Sequence, residues 1–411
     1  MSASTRRTIA GKMTRRRRRR RLPASFLTFA AAAAAAASTS SPSRAYVSAY
    51  HPERSARSGS ASAAAAASAS ASASPFPSIP SLSSPSGAVR PREIYRAPRI
   101  RRVLCVSDLH ADYDDNLRWA EGEEEGGGVG EGDPEALLLV AGDVSHDADV
   151  VRRTLSALRS KFGEVAYVPG NHDLWVKKGG GGKVAGAERR SADENSVDKL
   201  GRLLELCDEE DVRTGPVRVG DPSPGEGAWA VPLLSWHHRS FDTEPDIDPE
   251  CWGGIPRIER CMADYRRAEW PEPLSAMDDS VARYVDGLND VLLGERREED
   301  GAGDGAASVG VGTDGSPVLT FSHFLPRIEL TPEKRYLLVP TLNKAVGSTY
   351  LERRLRKLGS SLHVFGHTHF GWDQCVDGVR YVQAALAYPR ERERRARSLR
   401  IGSMAPGGEE E

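Results

Sequence analysis

Residues 103–110 read Val103-Leu104-Cys105-Val106-Ser107-Asp108-Leu109-His110, an apolar run that turns polar and ends in a carboxylate and an imidazole two positions apart. A short apolar run with polar bounds predicts a buried strand. In an extended chain residues two apart project to the same side, so Asp108 and His110 can reach one point. The pattern returns twice. Leu137 to Ala141 leads into Gly142-Asp143, and Val165 to Val168 leads into Gly170-Asn171-His172-Asp173. Between them Asp147 to Phe162 has helical spacing, so strands and helices alternate as in α/β folds. Polar residues gathered at the carboxyl ends of successive strands lie where ligands bind in open α/β sheets.

Two later segments repeat the arrangement: Ser322-His323-Phe324 after the run ending at Phe321, and Gly366-His367-Thr368-His369 after the run ending at Phe365. Imidazole, carboxylate and amide oxygen together suit divalent ions of intermediate softness, Mn, Fe or Zn. A carboxylate such as Asp143 can bridge two ions about 3.5–4 Å apart, an arrangement that clamps the attacking and leaving oxygens of a phosphoryl displacement.

The ordered set DLH, GD, GNHD, SHF and GHTH resembles the calcineurin-like metallophosphoesterase family over residues 101 to about 389. The resemblance implies an α/β fold, a four-layer α/β/β/α sandwich of two mixed β-sheets with flanking helices. It implies that Asp108, His110 and His369 hold one divalent metal ion and Asn171, His323 and His367 a second, with Asp143 between them. His172 would stand at the scissile bond, protonating the leaving oxygen or stabilising charge, with Asp173 orienting its ring. The implied activity is metal-dependent hydrolysis of phosphate mono- or diesters, small molecules or phosphoproteins, by a metal-bound hydroxide. The rival reading is a catalytically weak scaffold of the same fold; retention of His172 and every motif residue favours catalysis. One position departs from the pattern: His146 stands where many relatives carry an acid, and Asp147 and Asp149 read instead as acids at a helix N-terminus.

Charge is divided unevenly. Of 56 Lys and Arg and 58 Asp and Glu, residues 1–92 hold 15 basic residues and one acid, Glu53. This Arg-, Ala- and Ser-rich stretch has the composition of an organelle transit peptide, so a chloroplast destination is expected, with the mitochondrion as the alternative. A secretory signal or a nuclear address built on Arg15 to Arg21 are rivals. The acidic body lacks the basic face that nucleic-acid binding requires, which disfavours a nuclease. Five scattered cysteines without a CxxC pair suggest neither a disulfide framework nor a zinc ribbon. No apolar stretch approaches the length of a membrane span.

The remaining expectations concern the periphery. A metallophosphoesterase domain is expected over 93–389, with low-complexity insertions near 121–132, 179–190 and 295–316, and a charged tail over 390–411. Helices are expected over 196–210, 280–293 and 349–358, and strands near Val217 and over 228–234, 318–321, 362–365 and 381–383. Trp236 to Trp270 reads as a structured loop region over the body. There His237 and His238 are either substrate contacts or a hydrogen-bonded interfacial pair, and Trp229, Trp252 and Trp270 read as packing residues. Arg327, Lys334 and Arg335 are candidate holders of substrate phosphate oxygens.

Overall fold

Alternation of side chains along the strands divides the interior into layers. In the computed structural model, which describes residues 28–29, 89–123, 129, 132–176, 195–248, 250, 253–294 and 310–392, Val103, Cys105, Leu137, Leu139, Ala166 and Val168 form one core with Val217, Val219, Ala230, Leu319, Phe321, Val364 and Val382. The intervening residues Leu104, Val106, Leu138, Val140, Val165 and Tyr167 belong to a second core shared with the helices. The period of two thus makes each strand bury both faces, one against the other sheet and one against helices. The result is the expected α/β/β/α sandwich.

The first sheet runs β1-β3-β4-β5, from β1 (Thr28–Phe29), β3 (Arg102–Val106), β4 (Asp133–Ala141) and β5 (Phe162–Val168). Strands β3, β4 and β5 are parallel and β1 is antiparallel to β3. The second sheet has seven strands in the order β10-β11-β9-β8-β7-β6-β2. These are β2 (Tyr95–Ala97), β6 (Val217–Val219), β7 (Ala228–Pro232), β8 (Val318–Phe321), β9 (Ser360–Phe365), β10 (Trp372–Val376) and β11 (Val379–Gln383). Both sheets are mixed, as expected. Helices α1 (Asp114–Glu121), α2 (Ala148–Arg159) and α3 (Ser196–Glu209) cover the first sheet. After the short α4 (Ile258–Cys261) and α5 (Asp264–Arg267), α6 (Ser280–Leu292) and α7 (Thr349–Lys357) pair with each other, and α7 lies on β9.

Asp147 is the N-cap of α2, accepting from Asp149 N, and Asp149 sits in the first turn, so both acids serve the helix. The elements that escaped the sequence reading include β2, α1 and β10. Val89 is buried, and Arg92, 9% exposed, pairs with Asp208. The rest of the leader, residues 177–194, most of the other two insertions, Trp252 and Cys251, and the tail beyond 392 lie outside the described residues. No described helix is long and apolar enough to cross a membrane.

The outer helix pair is locked by Arg354 of α7, whose guanidinium binds both carboxylate oxygens of Asp286 and one of Asp290 on α6 at 2.8–2.9 Å. Arg354 is only 7% exposed, so removing it strands two partly buried carboxylates. Arg354→Ala should cost roughly 3 kcal/mol in urea unfolding, and Arg354→Met less, because the aliphatic contact survives. Equal stability of Arg354→Ala and the parent would show that the two helices are held by apolar contact alone.

Candidate metal centre

The donor groups converge because the loops after β3, β4, β5, β8 and β9 end on the same edge of the sandwich. Convergence does not come from extended backbone, as the spacing suggested. Asp108 (φ 52°), His110 (φ 44°), Asp143 (φ 54°), His367 (φ 73°) and His369 (φ 58°) all adopt the left-handed region. Each such residue costs of order 1–3 kcal/mol unless its surroundings enforce it. The enforcement is visible. Asp108 N donates to Gly142 O and His110 N to Asp143 O. His367 N donates to Asp108 Oδ1 at 2.8 Å, and Asn116 Nδ2 of α1 binds the carbonyls of Leu109 and Ala387. Glycine is required at two of these turns. A Cβ on Gly142 (φ 80°) would lie 2.5 Å from His323 Nδ1, and one on Gly170 would lie 2.2 Å from Asp143 Oδ1.

Three overlapping donor groups result. Asp108, His110 and His369 come within 4.8 Å of one another, and so do Asp143, His323 and His367 as a second set; His110, Asp143 and His172 form a third group that joins the two. His110 Nε2 and His369 Nε2 are 2.9 Å apart. Asn171 Oδ1 joins the second set, 2.9 Å from His323 Nε2 and 3.0 Å from His367 Nδ1. Asp143 stands between the sets: Oδ1 is 3.4 Å from His323 Nε2, and Oδ2 is 4.0 Å from His110 Nε2 and 3.8 Å from His172 Nε2.

The electrostatics suit cations. Burial, then the neighbouring His369, pushes the His110 imidazole down to about 3, and burial with His323 does the same to His367, so both keep a lone pair at neutral pH. His172 is driven well below the usual range by burial and by His110. Burial works to raise the Asp108 carboxyl, but His369, His323 and His110 outweigh it and hold it low. Asp143 is pushed well up by burial and by Asp173 and Asp108. A buried carboxyl so disfavoured as an anion, facing deprotonated imidazoles, is the environment a divalent cation relieves. The residues present therefore fit such ions.

The supporting residues differ in part from expectation. Asp173 does not orient His172. Its carboxylate accepts from Val144 N, Ser145 N and Gly170 N at 2.8–2.9 Å and so ties the β4 and β5 loops together. His172 is held instead by stacking on Trp175, with ring centroids 3.6 Å apart. Arg327 is tied to Glu329, Glu352 and Asp377, Lys334 to Asp242 and Asp246, and Arg335 to Glu333. None of these three cations lines the cleft beside the donors, whose walls are Asp143, Asn171, His172, Met262, Leu342, Val346, His367, Thr368, His369 and Tyr388. His146 pairs with Asp112 at 2.8 Å. His237 and His238 are both buried and act structurally: His237 lies 3.3 Å from Asp264, and His238 Nε2 accepts from Thr349 N at the start of α7. Trp229 and Trp270 are packing residues.

Sequence reading overlooked Asp264, Tyr388 and Glu391. Asp264 Oδ1 accepts from Asn171 Nδ2 and Trp175 Nε1, both at 2.8 Å. Tyr388 stacks on His110 at 4.3 Å. Glu391 Oε2 lies 2.8 Å from His369 Nδ1, although the charge run containing it reads as a solvated tail. Only the neighbouring left-handed Ala387 marks the turn that brings these last two back.

An α/β sandwich with carboxylate, imidazole and amide donors gathered at its strand ends is the architecture of a metal-dependent hydrolase. Residues 101–262 match the family described as calcineurin-like phosphoesterase, a match that supports a phosphoric ester hydrolase. It is similar to the acyl-carrier-protein phosphodiesterase PptH of Mycobacterium tuberculosis, 26% identical over 298 residues, which cover 71% of this chain and 80% of PptH. The crystal structure of the phosphopantetheinyl hydrolase PptH from the same organism aligns with a TM-score of 0.47 and 23% identity, over 71% of this chain and 92% of that one. A crystal structure of a Thermus thermophilus protein aligns with a TM-score of 0.32 and 11% identity, over 68% of this chain and 87% of that one.

The depressed imidazoles carry a stability prediction. His110, His363 and His367 titrate at about 3 and His238 at about 4 when folded, against about 6.5 in an unfolded chain. Above that value neither state binds the proton; below it the unfolded chain does and the fold does not, so stability falls as pH falls from about 6.5 toward 3. The melting temperature of EDTA-treated protein should drop by at least roughly 3 °C between pH 7.5 and 5.5. The raised carboxyls of Asp143 and Asp173 act in the opposite sense over the same interval, so a flat profile would show that the imidazoles do not outweigh them.

Proposed function

We propose that this chain is a phosphodiesterase working with two divalent cations, one held by Asp108, His110 and His369, the other by Asn171, His323 and His367, with Asp143 shared. The observation that carries the reading is the overlap of the donor groups at Asp143, beside a cleft with no Lys or Arg among its described lining residues. When bound, such cations lower the pKa of water and neutralise charge on a phosphoryl group.

The chain's own groups account for the remainder. Asn171, Asp143 and the histidines orient the ester by fixing where its charge can sit. His172, on its Trp175 shelf, presents an imidazole nitrogen to the cleft at the side of Asp143, placed to hydrogen-bond the leaving oxygen. Met262, Leu342 and Val346 supply an apolar wall, and Tyr388 an aromatic one.

That wall and the lack of lining side-chain cations favour a diester. A monoester dianion carries one more charge and gains more from Arg or Lys clamps than a diester monoanion does. The cleft, about 170 Å³, is smaller than the roughly 300–1,000 Å³ of sites that swallow a whole small molecule. It takes the phosphate and the first atoms of each arm and leaves the bulk outside. A phosphopantetheinyl group on an acyl-carrier protein meets these demands: it is a diester, one arm is a protein, and the other bears two methyl groups close to the phosphate. The name of PptH supports this substrate class. The leader is proposed, from composition, to address the enzyme to a plastid or mitochondrion.

Metal-stripped protein given Mn should cleave bis-nitrophenyl phosphate faster than the monoester and release phosphopantetheine from holo-carrier protein. Asp143→Asn and His172→Asn should each lower the diester rate on the order of a hundredfold or more. A preference for the monoester would sink the diester reading, and turnover by Asp143→Asn at the parental rate would sink the shared-carboxylate reading.

A further inference from the structure

Asn171 can offer a cation only its amide oxygen, so the function proposed above depends on which way round that amide stands. Oxygen and nitrogen differ little in size, and a flipped amide would turn an NH2 group toward His323 and His367. Something must decide the orientation. The side chain facing the other end of the amide is Asp264, wholly buried at the first position of the four-residue helix α5. Its Oδ1 accepts from Asn171 Nδ2 at 2.8 Å. A carboxylate has no proton to donate, so a flipped Asn171 would press its oxygen against this one while leaving a buried NH2 beside two imidazoles. Both changes are costly away from water.

The same oxygen accepts from Trp175 Nε1 at 2.8 Å, and Trp175 is the ring on which His172 stacks. On the opposite side Asp264 Oδ2 lies 3.3 Å from His237 Nε2, both side chains 1% exposed. His237 is in turn walled by Trp236, Tyr265 and Phe324. One buried carboxylate thus touches the carrier of a cation donor and the shelf of the cleft histidine at once. It lies just past residues 101–262, the span matched to the family.

We propose that Asp264 is a positioning residue that fixes the Asn171 amide with its oxygen toward His323 and His367 and sets the Trp175 shelf under His172. It acts through these two residues and does not reach the ester. The inference rests on the two-cation reading, because it assigns Asn171 to the second ion.

The test is Mn binding to chelator-treated full chain, followed by the paramagnetic resonance of free Mn, with near-ultraviolet dichroism as the check on folding. The parent should take two equivalents. Asp264→Ala should weaken one of them by about 10–100-fold and leave the other within about twofold, the range typical of groups that orient a metal ligand. Asn171→Ala should do the same, and adding Asp264→Ala to it should produce no further loss, since one residue acts through the other. Should Asp264→Ala fail to fold, the isosteric Asp264→Asn serves, and loss of the charge should still weaken the same equivalent by roughly threefold or more. Unchanged Mn affinity in a folded Asp264 variant, or losses that add fully in the double variant, would overturn the proposal. A parent that takes no Mn at all would overturn the two-cation reading and this one with it.

Discussion

Five of the donor-bearing residues stand in left-handed backbone, and most of what is unusual about this protein follows from the need to hold them there. No L side chain other than a short polar one tolerates that conformation well, and a strained loop relaxes unless its ends are fixed. Here the fixing is done by groups whose polar atoms are spent on backbone. Asp173 takes three amide protons from two loops. Asn116 binds carbonyls from the β3 loop and the segment after β11. Lys199, 3% exposed, donates to His146 O and Trp175 O and so bridges the loops after β4 and β5. Each would be an expensive burial without such partners, and each partner would be a loose loop without it. The donor geometry is therefore a property of the joined loops, and the layered core beneath supplies only their starting points.

This explains which parts of the protein were legible in its sequence. β3, β4, β5, β8 and β9 are apolar runs closed by polar residues, and their motifs occur in an order that chance seldom assembles. The residues they deliver did meet, though for a different reason than the one the spacing gave: residues two apart project together on extended chain, yet Asp108 and His110 are not extended. His367 and His369, also two apart, go to different donor sets. Positive φ at Asp or His leaves no mark in sequence, because the conformation is imposed by partners distant along the chain.

The omissions have separate physical causes. β10 and β11 form a hairpin around Asp377-Gly378, both at positive φ, and Asp-Gly between strands was a readable turn signal; the largely exposed β10 lacks the apolar run that drew attention elsewhere. α1 is short, with a polar outer face and two acids in its first turn. Asp264 was beyond reach for another reason. It meets Asn171 from 93 residues away, out of an irregular segment without period, and no local pattern connects the two.

The charge arrangement draws these threads together. Several cationic side chains of the acidic body are engaged in internal pairs: Arg327 with three carboxylates, Arg354 with two, Lys334 with two. No Lys or Arg lines the cleft among the described residues. Positive potential for an anionic ester must then come from ions rather than from side chains, and the donor set is tuned to that end. Burial keeps the imidazoles neutral, free to compete for a cation, while Asp143, disfavoured as an isolated anion, would gain from a cation beside it. A site that would borrow its positive charge in this way suits an ester with little charge of its own, which is the electrostatic basis on which we propose a diester.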